Sequence, residues 1–300
     1  MNNRIQINRA AIKQRKKIFF YAEDDAAAFD TDAELNTMHY RTLHNFMMEL
    51  VSEAIGRRAG ARPASGAKVF LDIGSGTGEE SIAILARYPE TRVVAVDLCS
   101  PMHEIFRRKL RDHLGVDAVS RVSFVTGDIA DGEITWQRIR SALAQTGTAT
   151  RFDMVVSALA LHHLTIGEKS WVYRMIQQAV NPGSMFINAD AFGYRTTSFD
   201  QLAQKKTLDW IRRQHDPKTS AYPRALRQLG AKAAGLARKW IDHCRRFNIT
   251  VPVESQRWGR PLGSPRDEVE CEFRLLVEAG FRETECPYRC WQTGIVVAVR

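Results

Sequence analysis

Three glycines, Gly74, Gly76 and Gly78, follow an apolar run in VFLDIGSGTGEES, residues 69–81. Their spacing is G-x-G-x-G. The dinucleotide fingerprint G-x-G-x-x-G would place its last glycine at position 79, where this chain has Glu79. A pyrophosphate lies on the N–H groups that open a helix, and a carboxylate at that place repels it. The loop therefore suits close backbone approach by a group without phosphates. Other side chains able to do chemistry recur along the chain: Asp72 before the loop, Asp97 in VVAVDLCSPM, Asp128 in VSFVTGDIAD, Ser157, His162 and His163 in FDMVVSALALHHL, and Asp190 in FINADAFGY. Carboxylates accept hydrogen bonds from hydroxyls and amines. An imidazole can exchange a proton near neutral pH. A zinc centre from His162, His163 and Asp190 is not expected, because adjacent histidines diverge and catalytic zinc needs three converging ligands.

Residues so far apart must be gathered by a scaffold. Between 67 and 193 short apolar runs alternate with helical patterns. Strands are predicted at 68–73, 92–97, 121–126, 154–158 and 184–189, and helices near 80–86, 101–114, 134–144 and 168–180. That alternation predicts an α/β fold with a doubly wound parallel sheet. In such a sheet ligands bind beyond the carboxyl ends of the strands, where Asp72, Asp97, Asp128, Ser157, the two histidines and Asp190 all fall. Adenosine with a cationic, phosphate-free tail would fit that set. Upstream, AELNTMHYRTLHNFMMELVSEAI carries Leu43, Phe46, Met47, Leu50, Val51 and Ile55 at helical spacing. GRRAGARPASG then breaks structure. Residues 195–262 read as two helices around HDPKTSAYPRA. SPRDEVECEFRLLVEAGF is a predicted helix, with Ser264 as cap, Pro265 in its first turn and Gly280 closing it. RETECPYRC and WQTGIVVAVR read as two strands.

Length and composition suit one large globular unit or two small ones. The chain has 300 residues and a net charge of +9. The segment 205–260 holds 14 Lys and Arg against 4 Asp and Glu, and a second basic cluster spans 4–17. Few aromatics interleave these charges as stacking platforms would, so a solvated helical face is favoured over a nucleic-acid surface. No run of eighteen apolar residues predicts a membrane span, and no apolar segment follows the basic start as in a secretory signal. Cys99, Cys244, Cys271, Cys286 and Cys290 are scattered and odd in number, which suits a reducing, cytoplasmic setting.

With these motifs in order, the chain resembles the class I S-adenosylmethionine-dependent methyltransferases over most of residues 36–300. LDIGSGTG looks like the family's first motif, VVAVDLCSPM its second, VTGDI its third and FDMVVSALALHHL its fourth. VNPGSMFINAD is similar to the strand that follows, with Pro182 and Gly183 in a turn. The resemblance implies a Rossmann-like, seven-stranded sheet, mostly parallel with an antiparallel terminal strand. Residues 1–65 would form an N-terminal helical lid, 66–194 and 263–300 the cofactor-binding domain, and 195–262 a helical insertion before the last helix, capping the substrate side. The cofactor implied is S-adenosyl-L-methionine. Asp72, Gly74, Ser75, Gly76 and Gly78 would meet its methionine part, Asp97 the ribose, Leu98 and Met102 the adenine flank, and Asp128 and Ile129 the adenine edge. Ser157 would face the methionine amine. A small-molecule subgroup, related to carboxy-S-adenosylmethionine synthases, carries I-P-x-Y-x-x-L-H ahead of the first motif. This chain has TMHYRTLH, with Thr37 and Met38 in place of Ile-Pro, and Tyr40 and His44 would cover the cofactor.

The implied reaction is methyl transfer to a small-molecule acceptor, with His162, His163 and Asp190 as catalytic candidates and His162 preferred as a base. Trp210, Trp240, Trp258 and Tyr222, with Arg224, Arg227, Arg245 and Arg246, would suit an acidic or aromatic acceptor. Two other readings stand beside it: an RNA-linked enzyme, either an RNA methyltransferase or a carboxy-S-adenosylmethionine synthase, and a non-catalytic cofactor-binding protein. The N-P-P-[YF] fourth motif of many RNA methyltransferases is absent from VSALALHHL, and nucleic acid is not favoured as a partner. No membrane partner is expected, and the protein is expected to be a monomer or homodimer.

Overall fold

Apolar runs without polar alternation need cover on both faces. β1 (Val69–Ile73) is buried at every residue, and β2 (Arg92–Asp97) at its four central ones. They lie inside one sheet with β3 (Val122–Thr126), β4 (Phe152–Ala158), β5 (Val180–Ala191), β6 (Glu283–Cys290) and β7 (Thr293–Val299). In this computed structural model, which describes residues 29–59, 68–147, 149–214 and 267–300, the strand order is β3-β2-β1-β4-β5-β7-β6. The first five strands are parallel, and β7 runs antiparallel between β5 and β6. Strand order therefore reverses between β1 and β4, which opens a crevice at their carboxyl ends.

Helices cover both faces. On one, α5 (Glu133–Gln145), α6 (Ile166–Ala179) and α8 (Val269–Ala279) bury Trp136, Tyr173 and Leu276 against Leu71, Val155 and Phe186. On the other, α3 (Glu79–Arg87) and α4 (Ser100–Leu114) place Leu85, Phe106 and Leu110 over Val93 and Ala95. α2 (Tyr40–Ala59) fills the same face over β5 and β7, where Leu43, Met47 and Val51 meet Ile187, Ala189 and Ile295. Full burial of each such side chain contributes roughly 1.5–3 kcal/mol. The segment expected as a lid is thus also core. α1 (Phe29–Asn36) precedes α2, and α7 (Thr197–Gln214) follows β5.

Local chemistry explains most boundaries. α6 opens with a capping box: the Thr165 hydroxyl accepts from the Glu168 N–H, and the Glu168 carboxylate accepts from the Thr165 N–H. Pro101 lies in the first turn of α4. Three expectations change. The pattern at 33–55 is two helices, broken at 37–39 where His39 takes φ 59°. α8 starts at Val269 with Glu268 as N-cap, so Ser264 and Pro265, which lie outside the described residues, are too far upstream to cap it. Pro182 and Gly183 form an irregularity inside β5, where pairing with β4 jumps from Phe152↔Val180 to Met154↔Met185. Trp240, Trp258, Tyr222, Arg224, Arg227, Arg245, Arg246 and the basic cluster 4–17 also lie outside the described residues. No helix among the described residues is long and apolar enough to cross a membrane.

Candidate functional site

The glycine loop leaves β1 at the crevice. Gly74 and Gly76 turn with φ 71° and 49° and Gly78 with φ 86°, a region that costs glycine little. The N–H groups of Gly74 and Ser75 both donate to Val96 O, at 2.8 and 3.0 Å. Two glycines are required by packing: a Cβ on Gly74 would stand 2.2 Å from Ala160 Cβ, and one on Gly78 2.1 Å from the Phe106 ring. At Gly76 the nearest atom to such a Cβ, on Phe29, is 3.8 Å away, so the loop is open on that side. Glu79 and Glu80 then occupy the first turn of α3, where a phosphate would otherwise sit.

A pocket opens over this loop. Its wall includes Tyr40, His44, Gly74, Ser75 and Gly76 at the loop, Asp97, Leu98 and Met102 beyond β2, Asp128 and Ile129 beyond β3, and 158–161 with His163 beyond β4. Asp97 accepts from the Gly76 N–H at 2.9 Å and the Cys99 N–H at 2.8 Å. Burial pushes its carboxyl above the usual range, and those N–H groups moderate the rise. Asp128 accepts from the Ala130 N–H at 2.9 Å. The pocket wall carries four carboxylates, Glu79, Glu80, Asp97 and Asp128, beside the imidazole of His44; among the described residues no Lys or Arg lines it.

α2 supplies the opposite wall. Tyr40 and His44 lie one turn apart with ring centroids 4.2 Å apart. His44 Nδ1 pairs with Glu80 at 2.8 Å. Burial disfavours its imidazolium, but Glu80, with Glu79 and Asp72 behind it, outweighs burial and raises its pKa. Burial and the nearby carboxylates push the Tyr40 phenol well up, so it stays protonated. Phe29 on α1 also lines the pocket and packs against Cys99, Met102 and Ile105. Asp30 anchors that helix, pairing with Lys109 at 2.8 Å and accepting from Thr77.

The other expected residues divide. Asp72 and Ser157 lie behind the pocket. Ser81 donates to Asp72 at 2.5 Å, and burial, reinforced by Glu80, pushes the Asp72 carboxyl well above the carboxylate range. The Ser157 hydroxyl donates to Ile73 O at 2.9 Å, so its side chain holds the loop rather than facing an amine. Of the histidines, His163 and not His162 lines the pocket. His162 stands beside it, ring centroids 3.8 Å apart. Asp190 accepts from the His162 N–H at 2.8 Å and pairs with Nδ1. Burial pushes Asp190 up, but His162, Lys169 and the Ala191 N–H hold it below its ordinary value. Lys169, itself buried, pairs with Asp267 at 2.9 Å and with Glu272, which also accepts from Tyr173.

Sequence reasoning missed Glu80 as the partner of His44, the Phe29 and Asp30 cover, and the Lys169 cluster. Glu80 was within reach, since two acids open α3 in EESIAILAR. The Lys169–Glu272 pair spans 103 residues, and no local signal joins them. His103 was also missed. It is buried between Ser75 at 3.4 Å and Thr126 at 3.3 Å, and burial, aided by Arg107, lowers its pKa to about 4 and keeps it neutral.

Residues 70–183 match the family described as a methyltransferase domain. A stretch of 71 residues is 38% identical to malonyl-[acyl-carrier protein] O-methyltransferase of Nitrosospira multiformis, covering 20% of this chain and 23% of that protein. Carboxy-S-adenosyl-L-methionine synthase of Klebsiella pneumoniae subsp. pneumoniae is 21% identical over 231 residues, 76% of this chain and 73% of that one. Among solved structures, the CurJ carbon methyltransferase superposes with a TM-score of 0.54 at 16% identity, covering 95% of this chain and 60% of its own. An O-methyltransferase family protein from Burkholderia thailandensis gives 0.51 at 13% identity, covering 96% and 63%. The match thus spans under a quarter of the first relative and about three fifths of each structure. The domain match, the four motifs in order and the 3-2-1-4-5-7-6 sheet coincide: residues 70–183 match a methyltransferase domain, and the sheet that holds them has the Rossmann-like fold of the solved methyltransferases it superposes on.

Proposed function

We propose that the protein is an S-adenosylmethionine-dependent methyltransferase acting on a small-molecule acceptor. The observation that carries this reading is the charge of the pocket: four carboxylates and, among the described residues, no Lys or Arg. That set fits a cofactor with a sulfonium, an ammonium and hydroxyls, and repels one with phosphates. Buried His44 Nε2, in the pocket wall, also has no hydrogen-bond partner in the folded chain, as expected of a group that meets a polar ligand. Asp97 would hold the ribose, Leu98 and Met102 the adenine flank, and Asp128 and Ile129 its edge. The glycine loop would take the methionine part, and Tyr40 and His44 would close over it. When bound, S-adenosylmethionine supplies an electrophilic methyl whose departure leaves a neutral thioether.

The chain's own task is then orientation, exclusion of water and one proton. Holding an acceptor in line can supply on the order of 7–11 kcal/mol. His162 stands beside the pocket rather than in its wall; with Nδ1–H donated to Asp190, its Nε2 would serve as the proton acceptor for a substrate bound on the β5 side. A positioned base of this kind adds roughly 10²–10⁴-fold. One relative is named as acting on malonyl-[acyl-carrier protein], in keeping with an acidic acceptor. The synthase reading, raised by the Klebsiella relative, is less favoured because, among the described residues, His44 in the pocket is already paired with Glu80 and no Lys or Arg is there to receive a further carboxylate. Incubation with methyl-labelled cofactor and a metabolite extract, with and without RNase, tests the reading. Label is expected in RNase-resistant small molecules; label in RNA, or none transferred, overturns it.

A further inference from the structure

At the carboxyl end of β5 stand three aromatic rings and a cation. Phe199, on α7, stacks on Trp291 with centroids 6.3 Å apart and planes 26° apart, and meets Tyr194 edge-on at 4.8 Å. The Arg289 guanidinium lies 3.9 Å from the Tyr194 ring centroid. Phe199 is 45% exposed, and Leu202, one turn on, is 41% exposed.

Trp291 sits in the two-residue connection between β6 and β7 with φ 52°. Such connections favour Asn or Gly at positive φ, and a bulky ring there is strained. Strain of this kind persists where the surroundings impose it, most often at functional sites. Here Tyr194 Oη donates to Trp291 O at 2.6 Å, and the Phe192 N–H donates to Gln292 O at 2.7 Å. Three non-glycine residues among those described have positive φ: His39, Leu159 and Trp291. Leu159 lines the cofactor pocket, and His39 precedes Tyr40, which also lines it.

The segments that carry the rings are joined through β5 and β7 to residues of the site. Ala191, paired with Thr293 beside the connection, directly follows Asp190, the partner of His162. Thr293 Oγ1 donates at 3.3 Å to Met38 O, two residues before Tyr40. Arg289 donates to Gly193 O through Nη2 and to Trp291 O through Nε. Its Nη1 makes neither bond, and no carboxylate among the described residues pairs with it; the nearby Asp200 accepts from the Tyr194 N–H at 3.0 Å. A flat cation beside stacked rings recognises a planar anion, because the guanidinium matches a carboxylate while the rings take its π-face.

Resting on the methyl-transfer reading, we propose that Tyr194, Phe199 and Trp291 form the acceptor shelf, and that Arg289 selects a planar aromatic acceptor carrying a carboxylate. The full chain, saturated with S-adenosylhomocysteine, is titrated calorimetrically with 2-naphthoate and with neutral 2-naphthamide. Wild type is expected to prefer the carboxylate about tenfold or more, the gain from a charge-assisted hydrogen bond. Phe199→Ala, at an exposed position that does not threaten folding, should weaken 2-naphthoate several-fold. Arg289→Met should erase the preference for the carboxylate. S-Adenosylhomocysteine affinity, measured alongside, should hold in both variants. No binding of 2-naphthoate by wild type, no preference over the amide, or unchanged affinity in Phe199→Ala overturns the shelf. Failure of wild type to bind S-adenosylhomocysteine instead defeats the cofactor reading on which the shelf rests.

Discussion

The two halves of the sheet's carboxyl edge are built by different means. On the β1–β3 side, the pocket's strand-end acids are held by residues close in sequence: Asp97 to Cys99 and Asp128 to Ala130 span two positions, and Gly76 to Asp97 spans 21. The covering helices add longer reaches there, Asp30 to Lys109 across 79. On the β4–β7 side, Asp190 reaches His162 across 28 positions, Tyr194 reaches Trp291 across 97 and Lys169 reaches Glu272 across 103. The first half is acidic and shaped by backbone turns. The second is aromatic at its surface and holds its charges in a buried cluster. A cofactor common to many enzymes can be met by a local, repeatable device; an acceptor particular to one enzyme is met by contacts that only the assembled fold creates.

The comparison breaks most visibly at Lys169. Lys169→Met leaves Glu272 and Asp267 buried without their cation, and a loss of about 3–5 kcal/mol is expected in urea unfolding. Cofactor affinity of the protein that stays folded should change little, because that half is locally held. A stability loss below 1 kcal/mol would show that the cluster is not what joins α6 to α8. The reverse pattern belongs to Asp97. Asp97→Ala should weaken S-adenosylhomocysteine roughly tenfold or more, the worth of a charge-assisted hydrogen bond, as read by calorimetric titration. Equal affinity in the two proteins would remove Asp97 from the cofactor.

His44 sharpens the boundary between α2 and the glycine loop. Folding raises its pKa, so its pair with Glu80 contributes fully below the ordinary histidine pKa near 6.5 and fades as pH rises through the higher folded value. Glu80 is held below its usual range, where burial is outweighed by the His44 charge and hydrogen bond. Its share is therefore present above ordinary carboxylate values and fades as pH falls through the folded one. The stability gap between wild type and His44→Gln should be larger at pH 6 than at pH 9 in thermal unfolding; a constant gap would show that the pair does not titrate. The smallest effect is expected at Arg41, which pairs with Glu34 at 2.6 Å while its side chain is 78% exposed. Arg41→Ala should change stability by no more than about 0.5 kcal/mol in the same measurement.

Strands and helices between 68 and 180 were legible within a few residues because their signals are local. VFLDI and RVVAVD are continuous apolar runs, and Thr165 with Glu168 writes a helix start into four positions. The break at 37–39 was not legible: the apolar spacing of Met38, Leu43 and Met47 continues through it, and His39 turns there at positive φ where the hairpin's Thr293 meets Met38 O. For the site, Asp97, Asp128 and the glycines fell where strand ends put them. Ser157, next to last in β4, and His162, just past that strand, did not enter the pocket, because the direction of a side chain at a strand end depends on what lies across the gap, here Ile73 O and Asp190.

The sequence by itself determined the α/β alternation, the phosphate-excluding loop and the acids at successive strand ends, since each depends on propensity or chemistry within a few residues. Only the tertiary structure decided that α2 is both core and pocket wall, that His163 rather than His162 faces the pocket, and that Trp291, Tyr194 and Phe199 meet. Those outcomes depend on which side chains come within a few ångströms across long loops, and nothing in the residues on either side of a loop specifies its partner before the sheet is assembled.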